Sequence, residues 1–147
     1  MQKTYNTLII VYSAFVFSSL VYLIVGFALS QSQWKAVVES ESLHKILFVL
    51  FVVLSASAMA AAIKIRSSAF SQEIPHPETL EQLQRYVVSR SILTFAFSEI
   101  PAILGLVLFL LSGRFPYLVI LCILSIVSFL LIKPARETLE ELERRYF

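Results

Sequence analysis

Residues 91–111 read SILTFAFSEIPAILGLVLFLL, 21 residues with a single ionisable side chain, Glu99, near their midpoint. As a helix rising 1.5 Å per residue, this run is about 31 Å long, which matches the roughly 30 Å hydrocarbon core of a bilayer. Three further runs resemble it: 8–29, 46–63 and 115–132, which are 22, 18 and 18 residues long. None alternates apolar with polar residues, so they read as helices and not as barrel strands. None carries the polar outer face that a helix in a water-soluble bundle needs. The sequence therefore predicts an all-α, polytopic membrane protein. Its four transmembrane helices form one antiparallel bundle, a single domain over residues 1–147.

The composition agrees. Of the 147 residues, 58% are hydrophobic and 15% charged, against about 45–50% and about 25% in soluble domains. The mean hydropathy is +0.80. This argues against a disordered chain, a nucleic-acid-binding domain and a disulfide-stapled module. Net charge is only +2, and the single Cys122 has no internal partner and sits in an apolar run as a small hydrophobe.

Basic residues set the orientation. Lys3, Lys64, Arg66, Arg85, Arg90, Lys133, Arg136, Arg144 and Arg145 fall on the side of the N-terminus, and only Lys35, Lys45 and Arg114 fall on the other. Both termini are expected in the cytoplasm of a multi-pass protein of a cell membrane, of the bacterial inner-membrane type. Trp34 and Tyr117 on the outer side and Tyr5 on the inner side suit the interface. The first run is too long for the apolar core of a cleaved signal peptide. Two polar segments read as amphipathic helices: a cytoplasmic extension over 78–90, introduced by Pro75-His76-Pro77 and presenting Leu80, Leu83 and Val87 on one face, and a tail over 133–147 with Glu140/Arg144 and Glu141/Arg145 at i,i+4.

Glu99 is the only carboxylate within the four runs. A charge at mid-bilayer costs at least about 2.5–3.5 kcal/mol on insertion scales. A carboxyl there favours its neutral form and suits the exchange of a proton or cation. Pro101 withholds an N–H from the carbonyl of Phe97 and kinks the helix. Ser98, together with Ser55 and Ser57 of the second run, supplies candidate hydrogen-bond partners for an ion at Glu99. Small residues permit close packing: Ala102 and Gly105 in the third run, and Ala56, Ala58, Ala60 and Ala62 in the second. A weak internal repeat sets Phe17-Ser18-Ser19-Leu20 beside Phe97-Ser98-Glu99-Ile100, with Ser19 standing in the place of the carboxylate.

The stretch Ala96-Phe97-x-Glu99-x-x-Ala102-Ile103-x-Gly105-Leu106-Val107, preceded by Pro77-Glu78 and by the alanine-rich second run, resembles the ion-carrying hairpin of the c subunit (proteolipid) of rotary ATP synthases, over about residues 46–111. The resemblance implies that Glu99 binds the translocated proton or sodium ion. The alanine run stands where that family carries its glycine repeat, and two additional spans flank the hairpin.

His44 and His76 have no metal-ligand spacing, and no phosphate loop, nucleophile elbow or carboxylate pair occurs. The expectation is a non-enzymatic, proteolipid-like component of ion transport without cofactor or metal. It would bind no nucleic acid and would work in the bilayer as a homo- or hetero-oligomer with other membrane proteins. The alternative is a non-transporting scaffold or assembly protein that binds partners through small-residue helix faces and cytoplasmic helices.

Overall fold

A computed structural model describes residues 2–32, 34–71 and 77–146, apart from the side chains of 69–71; Pro75 and His76 lie outside the described residues. Every regular element is a helix among the described residues: α1 (Gln2–Gln31), α2 (Glu41–Ser71), α3 (Leu80–Ser112), α4 (Phe115–Leu131) and α5 (Arg136–Tyr146). At 1.5 Å per residue α1, α2 and α3 reach about 45–50 Å, and α4 about 25 Å. Three helices are long and apolar enough to cross a membrane. A fourth qualifies if α4 and α5, which meet at 43°, are taken as one bent span.

The helices overrun the apolar runs because nothing in the flanking sequence stops them. α1 already begins at Gln2, and α2 continues past Ile63 through Lys64 and Arg66 to Ser71. The expected extension of the third run is continuous with it. It begins at Leu80 and not at Glu78, because Thr79 is the N-cap and accepts a hydrogen bond from the Gln82 N–H at 3.3 Å. Pro77 therefore precedes the helix instead of occupying its first turn. α3 runs through Pro101 without a break. It ends at Gly113, whose φ of 66° is the left-handed conformation a C-terminal cap requires, and the Gly113 N–H reaches Phe109 O at 2.7 Å. Arg114 and Pro116 then start α4 with almost no loop between.

α3 and α4 are packed against each other, and each also touches α1 and α2. Contacts along the helices give their directions. Tyr12 stacks edge-on against Phe95 at 5.6 Å, and Ser18 meets Glu99, so α1 runs parallel to α3. The Tyr12 hydroxyl donates to Phe129 O at 3.1 Å, and a side chain at Gly26 would collide with Leu118, so α1 runs antiparallel to α4. Phe48 stacks on Tyr117 at one end of α2, and Arg66 Nη2 donates to Lys133 O at 2.8 Å at the other, so α2 runs parallel to α4.

Two apolar clusters form the interior. One joins Leu8, Leu83, Val87, Phe95, Phe129 and Ile132 to Leu139 and Leu142 of the tail, with Tyr5 and Tyr146 packed against it. The start of α1 and the tail helix α5 therefore lie at the same end of the molecule. The other gathers Ala102, Phe109, Leu118 and Cys122. Outside these clusters, large apolar side chains face outward on α1, α2 and α4: Ile10, Phe17, Ile24, Ile46, Val49, Val53 and Leu130 are each more than half exposed. A surface so apolar needs an apolar solvent, as a membrane provides.

Several sequence expectations change in detail. In the tail, Glu141 pairs with Arg145 at 3.6 Å, but Glu140 turns to Arg136, one turn back, at 2.6 Å instead of to Arg144, one turn on. His44 is buried, and its Nε2–H donates to Val38 O at 2.6 Å, which ties the start of α2 to the preceding loop. Trp34 Nε1–H donates to Leu110 O at 3.2 Å.

Candidate functional site

Glu99 lies near the middle of α3 on the side that faces α1. The Tyr22 hydroxyl donates to its Oε1 at 2.9 Å, and the Ser18 hydroxyl is hydrogen-bonded to the same oxygen. Ser18 and Tyr22 are four residues apart, so they sit one turn apart on one face of α1. The parallel course of α1 and α3 brings that face level with Glu99. All three side chains are half-buried, so the carboxyl is sheltered by two helices yet open along the seam between them.

Proton counting shows what this arrangement can do. Ser18 Oγ is also 2.7 Å from Phe15 O, the carbonyl three residues back in its own helix. A serine hydroxyl carries one proton and can accept through its lone pairs. With Glu99 ionised, the Ser18 proton turns to Oε1, which then accepts from both hydroxyls. With Glu99 protonated, the carboxylic acid donates to Ser18 Oγ, and the Ser18 proton returns to Phe15 O. Rotation of one hydroxyl thus satisfies either state with no movement of a helix. Two O–H groups converging on one oxygen suit a carboxyl that gains and loses a proton.

The candidate residues distribute differently from expectation. Ser98, next to Glu99, is fully buried on the other side of α3. Its Oγ accepts from Ser128 Oγ at 2.8 Å, and its carbonyl accepts from Ser125 Oγ at 2.7 Å. Ser19, which the repeat sets in the place of the carboxylate, lies in the same cluster, 3.4 Å from Ser125 Oγ, and the Glu99 partners in α1 are Ser18 and Tyr22. Ser57 is exposed, and its hydroxyl donates back to Val53 O at 2.9 Å. Ser55 is buried with no hydrogen-bond partner for its Oγ. The hydroxyls that reach Glu99 thus come from α1 and not from α2.

The small residues also divide. Ala102 is buried against α4, and a Cβ on Gly105 would lie 2.9 Å from Leu121 Cβ and 3.3 Å from Leu118 O, so these two positions admit α4 and not α2. In α2, Ser55, Ala58 and Ala62 are buried and form the face turned inward, whereas Ala56 and Ala60 face outward and line a shallow groove with Met59, Ile63 and Leu124. Among the described residues no three His, Cys, Asp or Glu side chains come together.

Ser18 and Tyr22 were not singled out from the sequence. Their i,i+4 spacing within an apolar run is the signal that could have marked them. That signal becomes specific only once α1 is known to lie beside α3. No family model matches this chain, and no curated protein or solved structure is significantly similar to it.

Proposed function

We propose that this chain is a multi-pass protein of a cell membrane, of the bacterial inner-membrane type, that binds and releases a proton at Glu99 as a proteolipid-like component of ion transport. Four helices cross the bilayer as one bundle with both ends in the cytoplasm. The fourth crossing is the short α4, whose flanking Arg114 and Lys133 can reach the two interfaces. The observation that carries the reading is the carboxyl itself: mid-helix, half-buried, and held by two hydroxyls of a second helix that can serve both its protonation states. Intramembrane carboxylates with nearby polar partners mark proton and ion pathways. The likeness of residues 46–111 to the c-subunit hairpin points the same way, with Glu99 as the ion carrier. Here, however, the helix beside the carboxyl is α1, outside that hairpin.

Reaction with a hydrophobic carbodiimide tests this, because the reagent attacks a protonated carboxyl within a membrane. Modification is expected on Glu99 alone, strongest at acid pH and falling as pH rises. It should be absent in Glu99→Gln, which still inserts. Sodium at constant pH is expected to leave labelling unchanged if the ligand is a proton; protection by sodium would assign a cation instead. Absence of labelling at every pH would overturn the proposal.

The scaffold reading draws on one observation, the buried and unpartnered Ser55 hydroxyl beside the outward Ala56 and Ala60. If a partner helix packs there, Ala56→Leu or Ala60→Leu should abolish a complex that Glu99→Gln leaves intact. Unchanged complexes in both alanine variants would exclude that groove as a docking face.

A further inference from the structure

At the end of the molecule where the start of α1 and the tail helix α5 lie, a narrow cleft opens between α2, α3 and the α4–α5 bend. Its rim carries Arg66, Arg90, Ser91 and Thr138, with Thr94 deeper in the cleft, and its floor is the apolar Leu8, Phe95 and Ile132. Among the described residues no acidic side chain lines it. Arg66 is half-buried and uses one N–H on Lys133 O, and Arg90 lies 5.4 Å over the Tyr86 ring. Among the described residues neither guanidinium is in an ion pair, as is also true of Arg144 in the tail, whereas Arg85, Arg114, Arg136 and Arg145 each have a carboxylate partner. Thr94 gives its hydroxyl proton to Arg90 O at 2.8 Å. The free space, ≈ 20 Å³, admits one water-sized group such as a single phosphate oxygen.

We propose that this cleft binds the phosphate group of an anionic membrane lipid, with Arg66 and Arg90 as its charged clamp and the hydroxyls of Ser91 and Thr138 as further donors. Two guanidinium groups with no counter-ion among the described residues, one of them half-buried, suit an anion. The cleft's depth selects the bilayer as the source. It lies where the apolar runs of α2 and α4 give way to Arg66 and Lys133 and where that of α3 begins at Ser91, the level of lipid headgroups. Basic pockets between membrane helices on the cytoplasmic side are known to hold phosphate headgroups. This inference does not depend on the role of Glu99.

The test is native mass spectrometry of the full chain from vesicles of phosphatidylcholine with or without phosphatidylglycerol, with inorganic phosphate added in a separate arm. The wild type should retain one phosphatidylglycerol. Arg66→Gln with Arg90→Gln should weaken retention at least about tenfold more than the equally charged control Lys3→Gln with Arg144→Gln. Thr138→Leu, which keeps both arginines and fills the cleft, should also release the lipid. Thermal protection by phosphatidylglycerol and not by inorganic phosphate assigns the bilayer as source; equal protection by inorganic phosphate would assign a soluble phosphate to the same clamp. Equal loss in the cleft and control pairs, or undiminished retention in Thr138→Leu, would overturn the site.

Discussion

Ser98 and Glu99 are neighbours on α3, yet their surroundings have opposite characters. Ser98 is fully buried in a closed set with Ser19, Ser125 and Ser128, where hydroxyls and carbonyl are bonded across α1, α3 and α4. Glu99 is half-buried at an open seam, and its two hydroxyl partners can reverse the direction of one bond. The first arrangement is glue: polar groups that hold helices together in a solvent with no hydrophobic force between them. The second leaves one hydroxyl free to turn between two acceptors, which is what the proposed proton exchange needs. The difference teaches that polarity in a membrane core does not by itself mark a functional site. What sets the Glu99 site apart is an ionisable group, half-buried, with hydroxyl partners able to serve either protonation state.

The comparison can be broken most severely at Gly105, which supports both regions by letting α4 approach α3. Gly105→Leu would drive a side chain into Leu118 and Leu121. Overpacking of this kind costs about 1–3 kcal/mol, so reduced resistance to unfolding in detergent is expected together with lost Glu99 labelling. Ser125→Ala combined with Ser128→Ala attacks the glue alone. Interhelical hydrogen bonds in membrane proteins average about 0.6 kcal/mol, so the pair should lower unfolding stability by about 1 kcal/mol and leave the pH profile of labelling unchanged. Tyr22→Phe attacks only the exchangeable site. It removes a donor to the ionised carboxyl, so labelling should persist to higher pH while stability changes little, which a labelling titration beside an unfolding curve will separate. The smallest effect is expected for Ser57→Ala. This hydroxyl bonds only within its own exposed turn, so both readouts should stay within about 0.5 kcal/mol of wild type.

The sequence disclosed much of this fold through its four apolar runs, because in a membrane the length of an uncharged segment and the need to satisfy every backbone group leave few alternatives to a helix. Helix ends were less legible. α2 continues through Lys64 and Arg66, since charged residues at the interface propagate a helix as readily as apolar ones. Glu99 stood out because it is alone. Its partners did not, because α1 is apolar on nearly all sides and hydropathy gives no face by which to choose its neighbour. Ser55 is the opposite case: its residue type and position within the second run suggested a partner, but the turn of α2 points it away from the carboxyl. Arg66 and Arg90 are separated by more than 20 residues, and only the folded chain brings them to one cleft.

The account rests on Glu99 exchanging a proton, and infrared difference spectroscopy of the protein in vesicles observes that directly. Stepping the pH should reveal one protonated-carboxyl band that fades as pH rises, is missing in Glu99→Gln, and shifts when Tyr22→Phe removes a hydrogen bond. A band that keeps its intensity at every pH would make Glu99 a permanently neutral structural residue. Absence of the band throughout would make it permanently charged. Either result would contradict the proposed role.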